Sequence, residues 1–474
     1  MNETSPAASA PDVPAECPGL RWGIFTFRVP FYHTRVEWPE LAQGIFVAGA
    51  TGLALVPVLT ASFGLSFEEA VACVFIHSVL ISSAPIVFGE PFAAGWITPA
   101  LPLALHFVAP TDGSTVAYVT PAERFQVMTA ASLNLAMITL LLGVTGLGRR
   151  FVDWVPPALK GGIILGAAIA ALKRVFLDEA PPFFYHQPVA SSLAVGICLL
   201  LTFSLPIQRS RSRYRWLAVV AGLGLLPGFL IAAVVGPFVD APQLTEGAAA
   251  TKEIVYNIEW GILVPPFAAL YEKVSPFAIG WPSPQMFMAT LPLALMGYVI
   301  LFGDIVTGCE VLRIAEPSRP DETIRIDMAR THFSLAIRNA LMALFAPFFP
   351  TQGSLWTGVH VVIVERWSQG RRAMQSIYSG ITSYYVFGIP LLFLVRPVVT
   401  ALQPLMGIAL SLTLALTGFA CAYVAMAIPT TRVERGVTLL TAMALVVFSP
   451  WVGMIIGLLA TLALVGPRPD DELL

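Results

Sequence analysis

Long apolar runs, separated by short polar loops, follow one another along almost the entire chain. A helix of about 20 apolar residues crosses the hydrocarbon core of a bilayer, so repeated runs of that length predict an all-α polytopic membrane protein. We predict fourteen transmembrane segments, seven in each half of the chain. They cover residues 41–63, 69–87, 95–108, 124–147, 156–176, 189–207, 216–239, 285–314, 331–348, 353–364, 374–395, 405–428, 436–448 and 451–465.

Arginine clusters give these segments a common orientation. Each cluster either precedes the first segment or follows an even-numbered one, so all of them fall on one side of the membrane. Short loops rich in Lys and Arg stay on the cytoplasmic side, which predicts a multi-pass protein of the cell (inner) membrane with both termini in the cytoplasm. The clusters lie at residues 21–35, 149–150, 209–215, 313–330, 366–372 and 432–435.

Composition narrows the classes of function. The 474 residues are 56% hydrophobic and 12% charged, which excludes a soluble enzyme with one membrane tail and a disordered chain. The formal net charge of −2 argues against a nucleic-acid partner. The five cysteines are far apart, and no metalloprotease, serine-hydrolase, Walker or Rossmann motif is present. We therefore expect a protein that is not an enzyme and that uses no metal and no cofactor.

The third and tenth segments are too short to cross a bilayer as helices. About fourteen residues cover roughly 20 Å of a ~30 Å core. Each follows a stretch of Gly, Pro and polar residues, and each begins with a Trp and a Thr: Trp96 and Thr98 in segment three, Trp356 and Thr357 in segment ten. Paired broken segments at matching positions of two halves are typical of a transporter built from inverted repeats.

Two half-helices whose amino-terminal ends face each other form a site for an anion or an electronegative ring, because their free N–H groups carry partial positive charge. The alternative is a pair of surface re-entrant loops or of ordinary kinked spans. If the site exists, aromatic rings supply stacking surface, and hydroxyl and amide groups supply hydrogen bonds. The candidate solute-binding residues are Trp96, Thr98, Gln352, Ser354, Trp356 and Thr357.

Ionisable side chains inside or beside predicted segments are costly and usually functional. Asp304, deep in segment eight, is either a proton- or cation-coupling group or a packing carboxylate paired across helices. Glu90, just before segment three, either lines the cavity or caps a helix start. His360 in segment ten suits proton coupling, although a lone histidine on an apolar helix also serves packing. The same two alternatives apply to His77 and Asn134.

The stretch from segment eight to segment ten carries a family resemblance. Gly303-Asp304-Ile305 is followed by a polar linker, then by Phe349-Pro350 and Thr357-Gly358-Val359. Together with the short third and tenth segments, this stretch resembles the fold shared by nucleobase–ascorbate transporters, sulfate permeases and bicarbonate transporters.

The residues that grip a base in the nucleobase branch are absent. That branch has a Glu four residues before its Gly-Asp pair, where this chain has Ile300. Its Gln/Glu–Asn pair matches Leu355 and Trp356 here. The resemblance therefore implies a divergent member of the superfamily, to which nucleobase specificity does not carry over.

The resemblance also implies a core domain that carries the site and a gate domain against which it moves like an elevator. Homodimers through the gate helices are common in these families. The predicted regions are a cytoplasmic segment (1–40), core parts (41–148 and 285–396), gate parts (149–239 and 397–466), an extracytoplasmic loop (240–284) and a cytoplasmic tail (467–474).

The leading hypothesis is a secondary active transporter, a permease or symporter driven by H+ or Na+. Its solute is a small anion or a weakly acidic polar molecule: a nucleobase-like ring, an inorganic anion or a carboxylate. One alternative is a passive anion channel. Another is an intramembrane enzyme or lipid-handling protein, for which Asp304 and His360 are the only plausible pair of titratable groups.

Overall fold

The structure, a computed structural model, describes most of the chain. The described residues are 16–45, 49–108, 118–148, 150, 155–177, 188–211, 213–214, 216–217, 220, 226–239, 258–385, 389–402, 406–448 and 450–466. The predicted tail at 467–474 and the first part of the predicted loop, 240–257, lie outside them.

The described part of the first half is helical apart from one hairpin. The strands are β1 (Leu20–Trp22) and β2 (Phe25–Phe27). The helices are α1 (Trp38–Gln43), α2 (Gly49–Leu53), α3 (Val56–Phe63), α4 (Phe67–Ile86), α5 (Leu101–Val108), which a 3₁₀ turn (Thr98–Ala100) precedes, α6 (Pro121–Thr145), α7 (Pro157–Phe176), α8 (Pro188–Phe203), α9 (Leu205–Arg211) and α10 (Leu226–Val239).

In the described part of the second half an isolated β-bridge joins Ile262 to Val395, and the regular elements are helices. These are α11 (Phe267–Val274), α12 (Pro276–Ile279), α13 (Pro284–Ala315) with a 3₁₀ extension (Glu316–Ser318), α14 (Met328–Phe345), α15 (Thr357–Ser368), α16 (Ile377–Tyr385), α17 (Ile389–Leu392), α18 (Arg396–Leu402), α19 (Met406–Ala427), α20 (Arg432–Val447) and α21 (Pro450–Leu464).

Within the described residues, three helices are long and apolar enough to cross a membrane. They are α4, α6 and the stretch Pro284–Ser318. Shorter apolar helices of 10–17 residues are also present, among them Thr51–Phe63, Thr98–Val108, Pro188–Leu201 and Trp451–Leu464. A mostly helical membrane architecture is therefore present, while the count of fourteen segments stays a prediction.

Local sequence signals place several helix starts. Ser66 with Glu69, Thr120 with Glu123, and Thr431 with Glu434 form capping boxes at the starts of α4, α6 and α20. In each box the hydroxyl accepts the N–H three residues on, and the glutamate accepts the N–H of the cap. These boxes satisfy N–H groups that a helix start otherwise leaves without a partner.

Two elements differ from the sequence expectation. Residues 41–63 were expected to form one span, but in its described part a turn at residues 54–55 separates α2 from α3, because Pro57 lacks an N–H and lies in the first turn of a new helix. Residues 20–27 form an antiparallel hairpin in a segment for which no strand was predicted. Gly23, with a φ of 60°, supplies the turn between its strands.

Helices of the two halves pack against each other. Helix α6 packs on α13 and α14, and α7 packs on α19 and α20. The Asn134 amide of α6 donates to Phe287 O at 2.8 Å and to Thr290 Oγ1 at 3.0 Å on α13. The apolar core therefore belongs to both halves jointly.

The linker between α13 and α14 folds around a buried arginine. Arg319 donates to both carboxylate oxygens of Asp321, at 2.8 and 3.0 Å, and to the carbonyl oxygens of Trp367 and Met374. Burial raises the pKa of the neighbouring Glu322 carboxyl, although Ser376 and Trp367 donate to it and act in the opposite direction. This cluster fixes the end of α15 to the linker.

Candidate solute site

The two broken segments meet as extended chains inside the protein. Residues 93–97 and 350–356 run antiparallel and share three backbone hydrogen bonds. These join Ile97 N to Pro350 O (2.9 Å), Gly353 N to Gly95 O (2.7 Å) and Trp356 N to Ala93 O (2.7 Å). The structure therefore brings together the two stretches that were predicted to be the broken segments three and ten.

The crossing, where residues 93–97 lie against residues 350–356, is too tight for a side chain at position 95. A Cβ atom built on Gly95 would lie 2.7 Å from Trp356 Cβ and 3.2 Å from Trp356 Cα. Such separations are shorter than van der Waals contact, so glycine is required where the two backbones touch. The Trp96 and Trp356 side chains are both half-buried beside this contact.

A short helix begins at each end of the crossing. The 3₁₀ turn at Thr98 leads into α5, and Thr357 is the first residue of α15. Ile97 and Trp356 occupy the cap positions, and neither makes a side-chain cap hydrogen bond. In contrast to α4, α6 and α20, these two starts leave N–H groups for an exogenous acceptor, each with roughly half an elementary positive charge.

The six candidate residues divide into two groups. Thr357 is exposed, and Trp96, Thr98 and Trp356 are half-buried, so these four reach the space around the helix starts. Gln352 and Ser354 are fully buried instead. The Gln352 amide donates to His77 O at 3.2 Å, and the Ser354 hydroxyl donates to Leu301 O at 3.3 Å.

A buried ion pair braces the crossing from behind. Arg338 of α14 and Glu90 are both fully buried, with Arg338 Nη2 3.4 Å from Glu90 Oε1. Arg338 Nη1 also donates to Gly353 O at 3.1 Å, and Ser334 donates to the Glu90 carboxylate. One guanidinium therefore connects the segment before α5 to the segment before α15.

Two further polar side chains support the same backbone. Asn339 donates to Gln352 O at 3.0 Å, and the Tyr385 hydroxyl donates to Ala94 O. The sequence analysis did not single out Arg338, Asn339 or Tyr385. A signal was available for Arg338, because it is a charged residue inside the predicted span 331–348.

The two histidines near the crossing are engaged in packing. His360 on α15 is buried, and its Nδ1 accepts the Ala93 N–H at 3.3 Å. The His77 ring is bonded to Ala346 O at 2.7 Å and lies beside Phe348. These contacts favour the packing alternative for both residues.

Asp304 lies beside the other side of the site. It is half-buried on α13, next to the exposed Gly303 and one turn from the exposed Thr307. Helix α13 contacts the 3₁₀ turn at Thr98, which also contacts α7 and α19. On the same helix, Leu301 O accepts from the Ser354 hydroxyl, and a Cβ atom on Gly308 would lie 3.0 Å from Phe92 and 3.1 Å from Leu355. Asp304 is one helical turn from Leu301 and from Gly308, on the same side of α13.

The described part of the chain contains no cluster of side chains that could hold a metal ion. No group of three or more His, Cys, Asp or Glu side chains converges there.

Comparison with known proteins gives similarity at the level of solved structures. No protein-family model and no curated protein matches the chain. The murine Solute Carrier 26 family member A9 (Slc26a9) anion transporter, in its inward-facing state, is 15% identical over 93% of this chain and 69% of that chain, with a TM-score of 0.47.

Two more structures are similar. A second structure of SLC26A9 is 14% identical over 90% of this chain and 65% of that chain, with a TM-score of 0.47. The transmembrane domain of a cyanobacterium bicarbonate transporter, BicA, is 14% identical over 90% of this chain and 99% of that chain, with a TM-score of 0.43.

Proposed function

We propose that the protein is a secondary active transporter for a small anion. The observation that carries this proposal is the pair of uncapped helix starts, at Thr98 and Thr357, on either side of a hydrogen-bonded crossing. An anion at a helix start gains about 0.3–1 kcal/mol, and up to ~2 kcal/mol in partly buried geometry. Two starts from different halves give such a solute a site that either half alone lacks.

The side chains around the crossing supply contacts of different kinds. The Thr98 and Thr357 hydroxyls donate to the anion, and the Trp96 and Trp356 rings limit its size and accept stacking. Gln352 and Ser354 do not contact the anion. Their hydrogen bonds to His77 O and Leu301 O hold the extended segment in place. An inorganic anion or a small carboxylate fits this donor set best, because the two threonines and two tryptophans that reach the helix starts carry no carboxamide or carboxylate to pair with the edge of a base.

Asp304 is proposed as the coupling group. It lies on α13 between Leu301, whose carbonyl accepts from Ser354, and Gly308, which packs against Phe92 and Leu355. A carboxylate in this place binds H+ or Na+ together with the anion, which compensates the charge of the solute. Glu90 is an unsuitable coupling group because its carboxylate is paired with Arg338.

The proposed transport motion carries the crossing past the gate helices. The packing of α7 on α19 and α20 supports a gate built from residues 149–239 and 397–466, with residues 41–148 and 285–396 as the core. Both termini then lie in the cytoplasm of a cell (inner) membrane protein. Dimerisation through the gate is part of the same proposal.

The first test is uptake into proteoliposomes of sulfate, bicarbonate, dicarboxylates, uracil and xanthine. We expect Thr357→Val to raise KM for the transported anion about tenfold, since a hydrogen bond to a charged group contributes ~1.5 kcal/mol. Thr323→Val, at an exposed threonine of the linker, is the matched control. An unchanged KM in Thr357→Val removes α15 from the site. Currents far above carrier turnover in planar bilayers identify a channel instead.

The second test concerns coupling. In the wild type, we expect an inward H+ or Na+ gradient to stimulate uptake. Asp304→Asn loses this stimulation but keeps solute exchange across the membrane, because a carboxamide binds neither ion in the same way. Asp304→Glu, which keeps the charge, is the control. If Asp304→Asn responds to the gradient like the wild type, another group couples transport.

A further inference from the structure

The amino-terminal segment 16–40 is fastened to helices of both halves. The Trp22 indole donates to Val87 O at 2.9 Å, and Arg28 N donates to Ile86 O at 2.7 Å, both at the end of α4. The backbone N–H groups of Arg35 and Glu37 donate to serine hydroxyls of α16, at 3.1 and 2.8 Å. The segment therefore has a fixed position and one face turned toward the protein.

The inner face is packed against the protein by an aromatic contact, a cation–π contact and ion pairs. The fully buried Arg28 guanidinium lies 3.6 Å from the centre of the Tyr378 ring. Phe25 packs edge-on against Phe88, with ring centres 5.1 Å apart. Glu37 and Glu40 turn toward Arg366, so these two acids do not face outward.

The outer face is apolar and aromatic to an unusual degree for a segment outside the spanning helices. Trp38 is 73% exposed, Phe31 72% and Tyr32 83%. A tight turn presents the latter two: His33 N donates to Val29 O, and Val29 N donates to His33 Nδ1, both at 2.9 Å. Phe31 has a φ of 66°, an uncommon conformation for a bulky residue, which the turn imposes.

The positions of Trp38 and Trp22 relative to the apolar segments indicate the depth of this face in the membrane. Trp38 starts α1 three residues before the predicted first span, which is about 5 Å at 1.5 Å per residue. Trp22 bonds to Val87, the residue directly after the apolar helix α4. Both indoles therefore lie at the height where helices leave the hydrocarbon, which is where Trp and Tyr accumulate in membrane proteins.

Charge selects the kind of lipid. Arg35 is exposed on the segment, Arg371 and Arg372 are exposed on the neighbouring loop, and Arg21 is exposed in a surface ion pair with Glu16. That loop is attached to the segment because Gln375 N donates to Glu37 Oε1 at 2.9 Å. Exposed arginines around an apolar face attract anionic headgroups at a membrane surface.

We propose that this outer face binds the anionic phospholipid surface of the adjoining leaflet and anchors the amino-terminal segment there. The inference rests on the membrane orientation proposed above, and it does not depend on the transported solute. The face consists of Leu20, Arg21, Ile24, Phe31, Tyr32, Arg35 and Trp38.

The test places a nitroxide on the face of the full-length protein in vesicles. Tyr32→Cys is labelled in a background in which Cys309 and Cys421 are serine, since Cys17, Cys73 and Cys198 are buried. We expect collisions with a water-soluble nickel chelate to be about fivefold rarer than at a labelled Gln369→Cys in the exposed loop, because interfacial side chains sink ~5–10 Å below the headgroup boundary. Collisions with oxygen rise correspondingly.

Lipid composition separates the proposed partner from others. The protection at position 32 is expected to be strong in vesicles of phosphatidylcholine with phosphatidylglycerol and weaker in phosphatidylcholine alone. Arg21→Glu combined with Arg35→Glu reduces this difference, whereas Arg432→Glu with Arg435→Glu, at exposed arginines in the first turn of α20, leaves it unchanged. Equal nickel accessibility at positions 32 and 369 in both vesicles overturns the proposal. Protection independent of phosphatidylglycerol, with short nitroxide–nitroxide distances between copies, shows a protein–protein interface and also overturns it.

Discussion

Arg338→Met is expected to unfold most of the protein under conditions in which the wild type is folded. The substitution leaves the Glu90 carboxylate fully buried without its cationic partner. Removing one member of a buried ion pair costs about 3–5 kcal/mol, which is a large share of the stability of an ordinary domain. Gly353 O loses its hydrogen-bond donor at the same time. The measurement is the melting temperature of the detergent-solubilised protein, followed by size-exclusion chromatography.

Two further variants make this result specific. Arg325→Met removes an exposed arginine from the same part of the chain and should leave the melting temperature near that of the wild type. Glu90→Gln combined with Arg338→Met should recover a large part of the loss, since no uncompensated charge is then buried. A melting temperature of Arg338→Met equal to that of Arg325→Met would show that the pair does not brace the crossing.

Gly95→Val is expected to abolish solute uptake while most of the protein still folds. The new side chain starts 2.7 Å from Trp356 Cβ, so the two extended segments must separate. Overpacking of this kind costs about 1–3 kcal/mol of stability. It also displaces one helix start relative to the other, and a shift of about 1 Å in a binding arrangement lowers rates roughly 100-fold. The initial rate of uptake, normalised to the monodisperse protein, measures the effect.

Gly196→Val is the control for the added volume. A Cβ atom on Gly196 meets no atom within 4 Å, and this glycine lies on α8, away from the crossing. Its uptake should stay within about twofold of the wild type, as is usual for substitutions away from packed features. Wild-type uptake by Gly95→Val would contradict the placement of the site at the crossing.

The sequence predicts the site's backbone better than its side chains. Gly, Pro and a shortened apolar run are local signals, so the breaks at segments three and ten can be read from the chain. The capping pairs, such as Ser66 with Glu69, are local in the same sense. The contact between the two broken segments is also predictable, because matching positions in two repeats are related by symmetry.

The buried ion pair between Glu90 and Arg338 has no such local signal. Glu90 and Arg338 are 248 residues apart, and neither sequence neighbourhood indicates the other. The pairing arises only when α14 packs behind the crossing, and so it requires the tertiary structure. Gln352 and Ser354 show the same limit: their residue type suggests solute binding, whereas burial directs them to His77 O and Leu301 O.

The first predicted span and the amino-terminal hairpin show two other limits. Hydropathy averages over a window, so it recognises the apolar stretch 41–63 but not the turn at residues 54–55 between α2 and α3. The hairpin of β1 and β2 is only three residues long on each strand, and such a unit is marginal without a surface on which to pack. Phe88 and Val87 provide that surface, and they come from a distant part of the chain.

The shared packing of the two halves has a consequence for biosynthesis. Helix α6 ends at Thr145, but α14, against which it packs, begins at Met328. The ribosome adds roughly 180 residues in between, which takes about 10–40 s at ~5–20 residues per second. The partners of the Asn134 amide, Phe287 and Thr290 on α13, are translated only after most of that interval has passed. The newly inserted first half therefore needs membrane chaperones to protect it from proteases until the second half is translated.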